Sequence, residues 1–311
     1  MSRERSKGIV AIFVLISIFF VVFMGFAFTT ISSLKNTSDL SAKALRSDDE
    51  GPIAVITVDG PIMDAKKVIQ LLHVAEEEKS IKAIIVRVDS PGGAVGPTQE
   101  IYEEIRRIDG NKESGKPVYA SFGSVAASGG YYIGAATRKI FANPGTVTGS
   151  IGVIMQFADL SELFQFAKYK PGVIKAGKYK DIGSPHRAMT DEERGILEAS
   201  LRVTHEQFVR DIVKVREERL TKKPEEFAQG QIFNGEEALA MGLVDELAGL
   251  WEAGRRIHKA HDMKEKFGLR FVKLKKRKLN FMEMLQEGEE AMSGLKDALV
   301  KRSGPAYLLP W

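Results

Sequence analysis

The sequence contains no cysteine. That excludes disulfides, a thiol nucleophile and any thiolate metal site. Histidine is scarce as well. The five, His73, His186, His205, His258 and His261, form no zinc-binding pattern, and the helical spacing of His258 and His261 reads as an exposed surface pair. No internal repeat and no DNA- or RNA-binding motif is present. Neither charge sign dominates: 45 Lys and Arg face 41 Asp and Glu, for a net charge of +4. One basic run, Lys273-Leu274-Lys275-Lys276-Arg277-Lys278, has the chemistry to touch anionic lipid or nucleic acid but reads first as a solvated edge. What the 311 residues do contain is 44% hydrophobic side chains, enough for a sizeable core.

The apolar residues are not spread evenly. After Arg3, Arg5 and Lys7, residues 8–28 (GIVAIFVLISIFFVVFMGFAF) carry no charge. As a helix they would span roughly 30 Å, one hydrocarbon core. The run is too long for a cleaved signal peptide, and Ala27-Phe28-Thr29 is a poor cleavage site. It is therefore expected to be an uncleaved transmembrane anchor in contact with the lipid bilayer. The basic residues 1–7 would stay cytoplasmic and the remaining chain would lie outside the cytoplasm, giving a single-pass protein of the cell membrane. Residues 29–50, rich in Ser, Asn, Asp and Lys, read as a linker.

Residues 51–262 alternate strand and helix patterns. Pro52–Val58 and Ile81–Val88 read as buried strands, and the helical faces of Ala65–Lys79 and Pro97–Ile108 follow them. A third strand begins at Val118. The alternation predicts an α/β fold with right-handed βαβ units and a parallel sheet. Further on, Lys139–Ala142 reads as a short strand, Leu160–Ala167 as a helix and Gly172–Asp181 as a strand and loop. Thr190-Asp191-Glu192-Glu193 is a capping box opening a helix to about Leu220. Trp251–His261 reads as the closing helix. Residues 263–311 change character, basic, then amphipathic, then apolar at Ala306–Trp311, and read as a C-terminal extension.

The chemistry centres on Ser121–Tyr132 (SFGSVAASGGYY). An apolar strand precedes it and a helix rich in small residues follows, so Ser128 sits at a strand-to-helix transition. Backbone N–H groups at a helix start are unpaired. A serine flanked by Ala126, Ala127, Gly129 and Gly130 leaves room for a substrate backbone, as a nucleophile with an oxyanion site requires. Small residues around a serine also serve tight helix packing, so this stretch alone does not decide. A serine nucleophile needs a base, and no histidine stands in a triad context. A neutral lysine is the alternative, and Lys175, Lys178 and Lys180 are the candidates in one stretch.

Four motifs in order decide between these: Asp89-Ser90-Pro91-Gly92-Gly93, Gly123–Tyr132, Thr148-Gly149-Ser150-Ile151-Gly152 and Gly177-Lys178-Tyr179-Lys180-Asp181-Ile182. Together, behind an N-terminal anchor, they resemble signal peptide peptidase A, the membrane-anchored Ser–Lys serine proteases of peptidase family S49. The resemblance covers about Pro52 to His261 and implies the Clp-protease and crotonase-like fold of repeated ββα units wound in a spiral. It implies Ser128 as nucleophile, Lys180 as general base, the N–H groups of Gly93 and Gly129 as the oxyanion hole, and Ser150 as a residue orienting the lysine. It implies endopeptidase chemistry on signal-peptide remnants and other extended peptides, with no metal and no cofactor. It also implies homo-oligomeric rings, and because the tandem members keep serine and lysine in different repeats it leaves two arrangements open, a dyad within one subunit or Lys180 of one subunit serving Ser128 of the next. The alternatives are a general membrane-protein quality-control peptidase, an acyl-CoA enzyme of the same fold, and an inactive scaffold.

Overall fold

A computed structural model describes residues 51–111 and 115–274. The expected anchor, the linker and most of the C-terminal extension lie outside the described residues. No helix among the described residues is long and apolar enough to cross a membrane.

Two β-branched, apolar runs form the centre of the sheet: β1 (Ile53–Asp59) and β2 (Ala83–Ser90), paired in parallel from Ile53↔Ala83 to Asp59↔Asp89. Helix α1 (Lys66–Glu77) connects them and buries Val68, Leu71, Leu72 and Ala75 on one stripe, as its spacing predicts. Helix α2 (Val95–Gly110) leads to β3 (Val118–Ala127), again parallel to β2. The short helix α3 (Gly129–Ala135) follows directly. β4 (Ile140–Ala142), β5 (Val147–Gly149), β6 (Ile232–Phe233), β7 (Glu246–Leu247) and β8 (Leu269–Phe271) complete a sheet whose main path runs β6-β5-β3-β2-β1-β8, with β4 joining β3 to β7. All pairings are parallel except β5 with β6.

Strand β3 changes partner along its length. Ala120 and Ser121 pair with β4, whereas Val125–Ala127 pair with β5. The change is built around Asp89, whose carboxylate accepts the N–H groups of Ser124 (3.3 Å) and Val125 (3.1 Å). Gly123 is required opposite it, because a Cβ there would lie 2.5 Å from the Asp89 Oδ2. The ladder to β2 shifts register at the same level, between Val88 and Ser90.

The sheet buries both faces. Ile56, Ile84, Val86, Phe122, Ile101, Tyr131 and Ile212 belong to the larger core, under α1, α2, α3 and the long helix α5 (Asp191–Arg216). The smaller core contains Ile53, Val55, Ile85, Tyr119 and Phe141 beneath α8 (Leu250–Ala260). α5 opens on the predicted capping box, with the Thr190 side chain and the Glu193 N–H paired. Its C-terminal end is fixed by the fully buried Arg216, which donates to the Gly242 carbonyl (3.0 and 2.8 Å) and to both oxygens of Asp245 (3.2 and 3.1 Å). Two small helices, α6 (Pro224–Phe227) and α7 (Gly235–Ala240), lie between α5 and β7.

Two expectations change, and the helix expected over Leu160–Ala167 holds. Gly172–Asp181 contains no strand: its apolar residues Val173 and Ile174 are exposed and pair with no strand, and residues 176–183 form successive bends and turns. Helix α4 (Ser161–Phe166) forms near the expected place, but none of its residues is buried. β8 falls within the stretch read as a C-terminal extension, yet it pairs with β1 from Ile53↔Leu269 to Val55↔Phe271.

Candidate active site

The parallel strands end on one side of the sheet, where crevices form beyond their carboxyl ends. Ser128 follows β3, Gly92 and Gly93 follow β2, and Ser150 follows β5. Because Ala127 and Gly149 are register partners, the next residues, Ser128 and Ser150, emerge side by side. The Ser128 N–H donates to the Gly149 carbonyl (2.8 Å), and the Ser128 carbonyl accepts the Tyr132 N–H (3.0 Å). The backbone is thus held on both sides while the side chain is left free.

Both serines have unusual backbone conformations. Ser128 has φ +53° and ψ −120°, and Ser150 has φ +50°. Positive φ in residues with a Cβ costs energy and clusters where a structure forces it for function. Neither hydroxyl has a hydrogen-bond partner among the described residues.

The turn after β2 approaches Ser128 closely. Gly92 has φ +105°, and a Cβ on it would lie 2.9 Å from both the Ser128 Cβ and the Gly129 nitrogen. Its N–H is fixed by donation to the Ser90 hydroxyl (3.1 Å). A parallel bridge to Ile62 orients the next residues: the Ile62 N–H donates to the Gly92 carbonyl (2.9 Å) and the Ala94 N–H to the Ile62 carbonyl (2.8 Å). The Gly93 N–H between them, and the Gly129 N–H at the start of α3, donate to no group among the described residues.

These residues share one cavity of about 330 Å³, lined among others by Gly93, Ser128, Gly129 and Ser150. Its apolar wall comes from Val95, Val153, Ile154 and Phe208, and Thr98, Gln99, Tyr132 and Thr204 add polar groups. Tyr132 stacks on Tyr102 (4.5 Å between ring centroids), meets Phe208 edge-on (4.9 Å), and its hydroxyl donates to Asp211. Burial and the Asp211 carboxylate both push the Tyr132 hydroxyl far above the usual phenol range, so it stays neutral. The wall residues from α2 and α5 carried no motif in the sequence; only packing of these helices on α3 brings them to Ser128.

Lys180 does not line this cavity. It lies exposed in the turns that lead to α5, its N–H donating to the Gly177 carbonyl (3.2 Å). The three candidate lysines are nonetheless distinguishable. Lys175 is paired with Asp181 and Lys178 with Glu192 (2.5 Å). The hydrogen bond to Glu192 raises the Lys178 pKa, which favours the charged form. Lys180 alone of the three makes no ion pair among the described residues. His258 and His261 do not act as a pair: the first contacts the Glu265 carbonyl (2.7 Å) and the second the Tyr119 hydroxyl (2.7 Å).

Comparison with known proteins places this chain in a family. The sequence model described as Peptidase family S49 matches residues 110–264, and that described as Clp protease matches residues 53–146. The protein slr0021 of Synechocystis sp., provisionally named a protease, is 43% identical over 63% of this chain and 69% of its own length. A provisionally named signal peptide peptidase SppA of Enterococcus faecium is 36% identical over 55% of this chain and 49% of its own. The chloroplastic serine protease SPPA of Arabidopsis thaliana is 34% identical over 66% of this chain, which spans 29% of that longer protein. The mixed α/β sheet agrees with these likenesses: the chain belongs to peptidase family S49 and is an SppA-like serine-type peptidase.

Proposed function

We propose that the protein is a membrane-anchored endopeptidase in which Ser128 and Lys180 form the catalytic dyad. The observation that carries the assignment is the convergence on one cavity of a serine with an unpartnered hydroxyl and two unpartnered backbone N–H groups, those of Gly93 and Gly129. The Ser128 Oγ attacks the scissile carbonyl carbon while the Lys180 amine accepts its proton. The carbonyl oxygen, now negative, takes hydrogen bonds from Gly93 and Gly129; one such donor is worth about 10²–10³ in rate. Collapse breaks the C–N bond, Lys180 returns the proton to the leaving amine, and water hydrolyses the acyl-enzyme by the same route in reverse. Ser150, side by side with Ser128, orients the lysine amine through its free hydroxyl.

The separation of Lys180 from the cavity supports a site shared between subunits of a homo-oligomeric ring. Residues 154–174 expose large apolar side chains, among them Ile154 (80%), Phe166 (87%) and Ile174 (105%). A patch of this kind calls for a protein partner. A second copy covering this arm would bring Lys180 of one subunit to Ser128 of its neighbour. The substrates proposed are signal-peptide remnants and other extended peptides, as the name of the Enterococcus relative suggests. Residues 8–28 would hold the protein in the cell membrane with the peptidase outside the cytoplasm.

Co-expression of Ser128→Ala and Lys180→Ala chains tests the shared site. Each alone should be inactive, and mixed oligomers should recover activity at sites combining one intact serine with one intact lysine. Mixed oligomers that stay wholly inactive would refute the sharing. An assembled wild type inert to every peptide would favour a scaffold instead.

A further inference from the structure

One guanidinium, that of Arg187, ties the residue after Lys180 to helix α5. Arg187 Nε and Nη2 bind both oxygens of Asp181 (3.0 and 2.9 Å), the residue directly after Lys180. Its Nη1 and Nη2 bind both oxygens of Glu193 (2.8 and 2.5 Å), and Nη1 also donates to the Ala188 carbonyl (3.1 Å). A guanidinium has five N–H donors, and here all five are used. Glu193 is buried and is itself fixed by the Thr190 N–H (3.0 Å) and hydroxyl (3.2 Å) in the capping box of α5. The chain of contacts therefore runs from a 26-residue helix, through Arg187, to the residue next to Lys180. Tyr179, on the other side of Lys180, donates its hydroxyl to Glu192 on the same helical turn.

The charges in this network also close on themselves. Lys175 and Arg187 balance Asp181 and Glu193, and Lys178 balances Glu192. The other ionisable groups nearby are His186, packed against the Phe164 ring, and Asp191 at the first position of α5. No carboxylate of the network is left over for Lys180.

We infer that Arg187 is a positioning residue for the peptidase reaction, fixing the Lys180 turn on α5 and neutralising Asp181 and Glu193 so that the Lys180 amine keeps no carboxylate partner. The inference rests on Lys180 being the general base. Its two parts make separable predictions, because a lysine beside an unbalanced carboxylate favours its charged form. Lysine could not replace Arg187, since an ammonium cannot bind two carboxylates bidentately.

The test uses the full chain with Lys180→Met, Arg187→Met, Arg187→Lys and Asp181→Asn, a fluorogenic peptide, and rate–pH profiles at low ionic strength. Arg187→Met and Arg187→Lys should lose at least about tenfold in kcat with KM changed little, the pattern for misplaced chemistry rather than weakened binding. By Coulomb's law in water, one uncompensated charge within about 10 Å of an amine should move the half-maximal pH of the alkaline-rising limb by a few tenths of a unit. The shift should be upward in Arg187→Met, which leaves excess negative charge, and downward in Asp181→Asn, which leaves excess positive charge. Added guanidinium should restore part of the Arg187→Met rate. Wild-type kcat in Arg187→Met, no shift, or shifts of the same sign would overturn the inference. If Arg187→Met does not fold, Asp181→Asn decides, a downward shift supporting the inference and an unchanged profile refuting it. Full activity in Lys180→Met would refute the dyad itself and the inference with it, an outcome read from that variant alone.

Discussion

Gly92 and Gly60 form a matched pair for testing how the turn after β2 serves the site. Both have positive φ, +105° and +68°. A Cβ on Gly60 would meet nothing within 4 Å, whereas one on Gly92 would lie 2.9 Å from the Ser128 Cβ and from the Gly129 nitrogen, and 3.1 Å from the Ala127 carbonyl oxygen. Gly60→Ala therefore carries only backbone strain, about 1–2 kcal/mol. For a domain of this size that lowers Tm by about 2–4 °C per kcal/mol. Gly92→Ala adds steric overlap worth about 1–3 kcal/mol. The atoms it meets are backbone or the first carbon of a side chain, so relief requires moving Ser128 or the Gly129 N–H. A displacement near 1 Å at the reacting groups costs about 10² in rate. Urea unfolding and peptide hydrolysis measured on both variants separate these effects. Gly60→Ala should lose stability and keep kcat/KM within about twofold, whereas Gly92→Ala should lose about 10² or more in kcat/KM. Wild-type kcat/KM in a folded Gly92→Ala protein would refute a role for this turn in positioning Ser128 and the Gly129 N–H for the proposed reaction.

Three further outcomes follow from the geometry. Arg216→Met leaves Asp245, with a side chain 10% exposed, without its buried partner, and should destabilise the fold by about 3–5 kcal/mol in urea titration. The Arg187 guanidinium holds the carboxyls of Asp181 and Glu193 below the usual carboxylate range, so folding favours their ionised forms. That contribution is complete above the unfolded range of about pH 4–4.5 and disappears as pH falls through the lower folded values. An Asp181→Asn/Glu193→Gln double variant should therefore be less stable than wild type at pH 6, and the two should converge toward pH 2. Lys178→Ala should keep activity, while Lys180→Ala should lose about 10²–10⁴, the range for removal of a general base; the reverse pattern in the hydrolysis assay would move the base to Lys178.

The strand-to-helix junction at Ser128 was legible in the sequence because its neighbourhood is local. A buried strand, small residues and a glycine pair fix a strand-to-helix junction without help from distant parts of the chain. The alternation from Ile53 to Gly110 was legible for the same reason: β-branched runs and helical stripes report directly on burial. What the sequence concealed depends on partners. Val173 and Ile174 have the composition of a strand, but they lie exposed and pair with no strand, and Gly177, with φ +104°, enters the turns that follow. Leu269–Phe271 pairs with the exposed edge of β1, a long-range choice that its basic surroundings disguise. The cavity wall formed by Thr98, Gln99, Thr204 and Phe208 exists only because α2 and α5 converge on α3. Gly92 lay in plain view inside a recognised motif, but its demand for positive φ could be read only from the backbone.

The most direct test of the central claim is covalent labelling of the full chain with a fluorophosphonate, followed by peptide mapping, in wild type, Ser128→Ala and Lys180→Ala, alongside peptide hydrolysis across pH. The account predicts a single adduct on Ser128, no labelling in either variant, and wild-type hydrolysis that rises with pH and is lost in both. An adduct on another serine, or undiminished labelling and hydrolysis in Lys180→Ala, would contradict it.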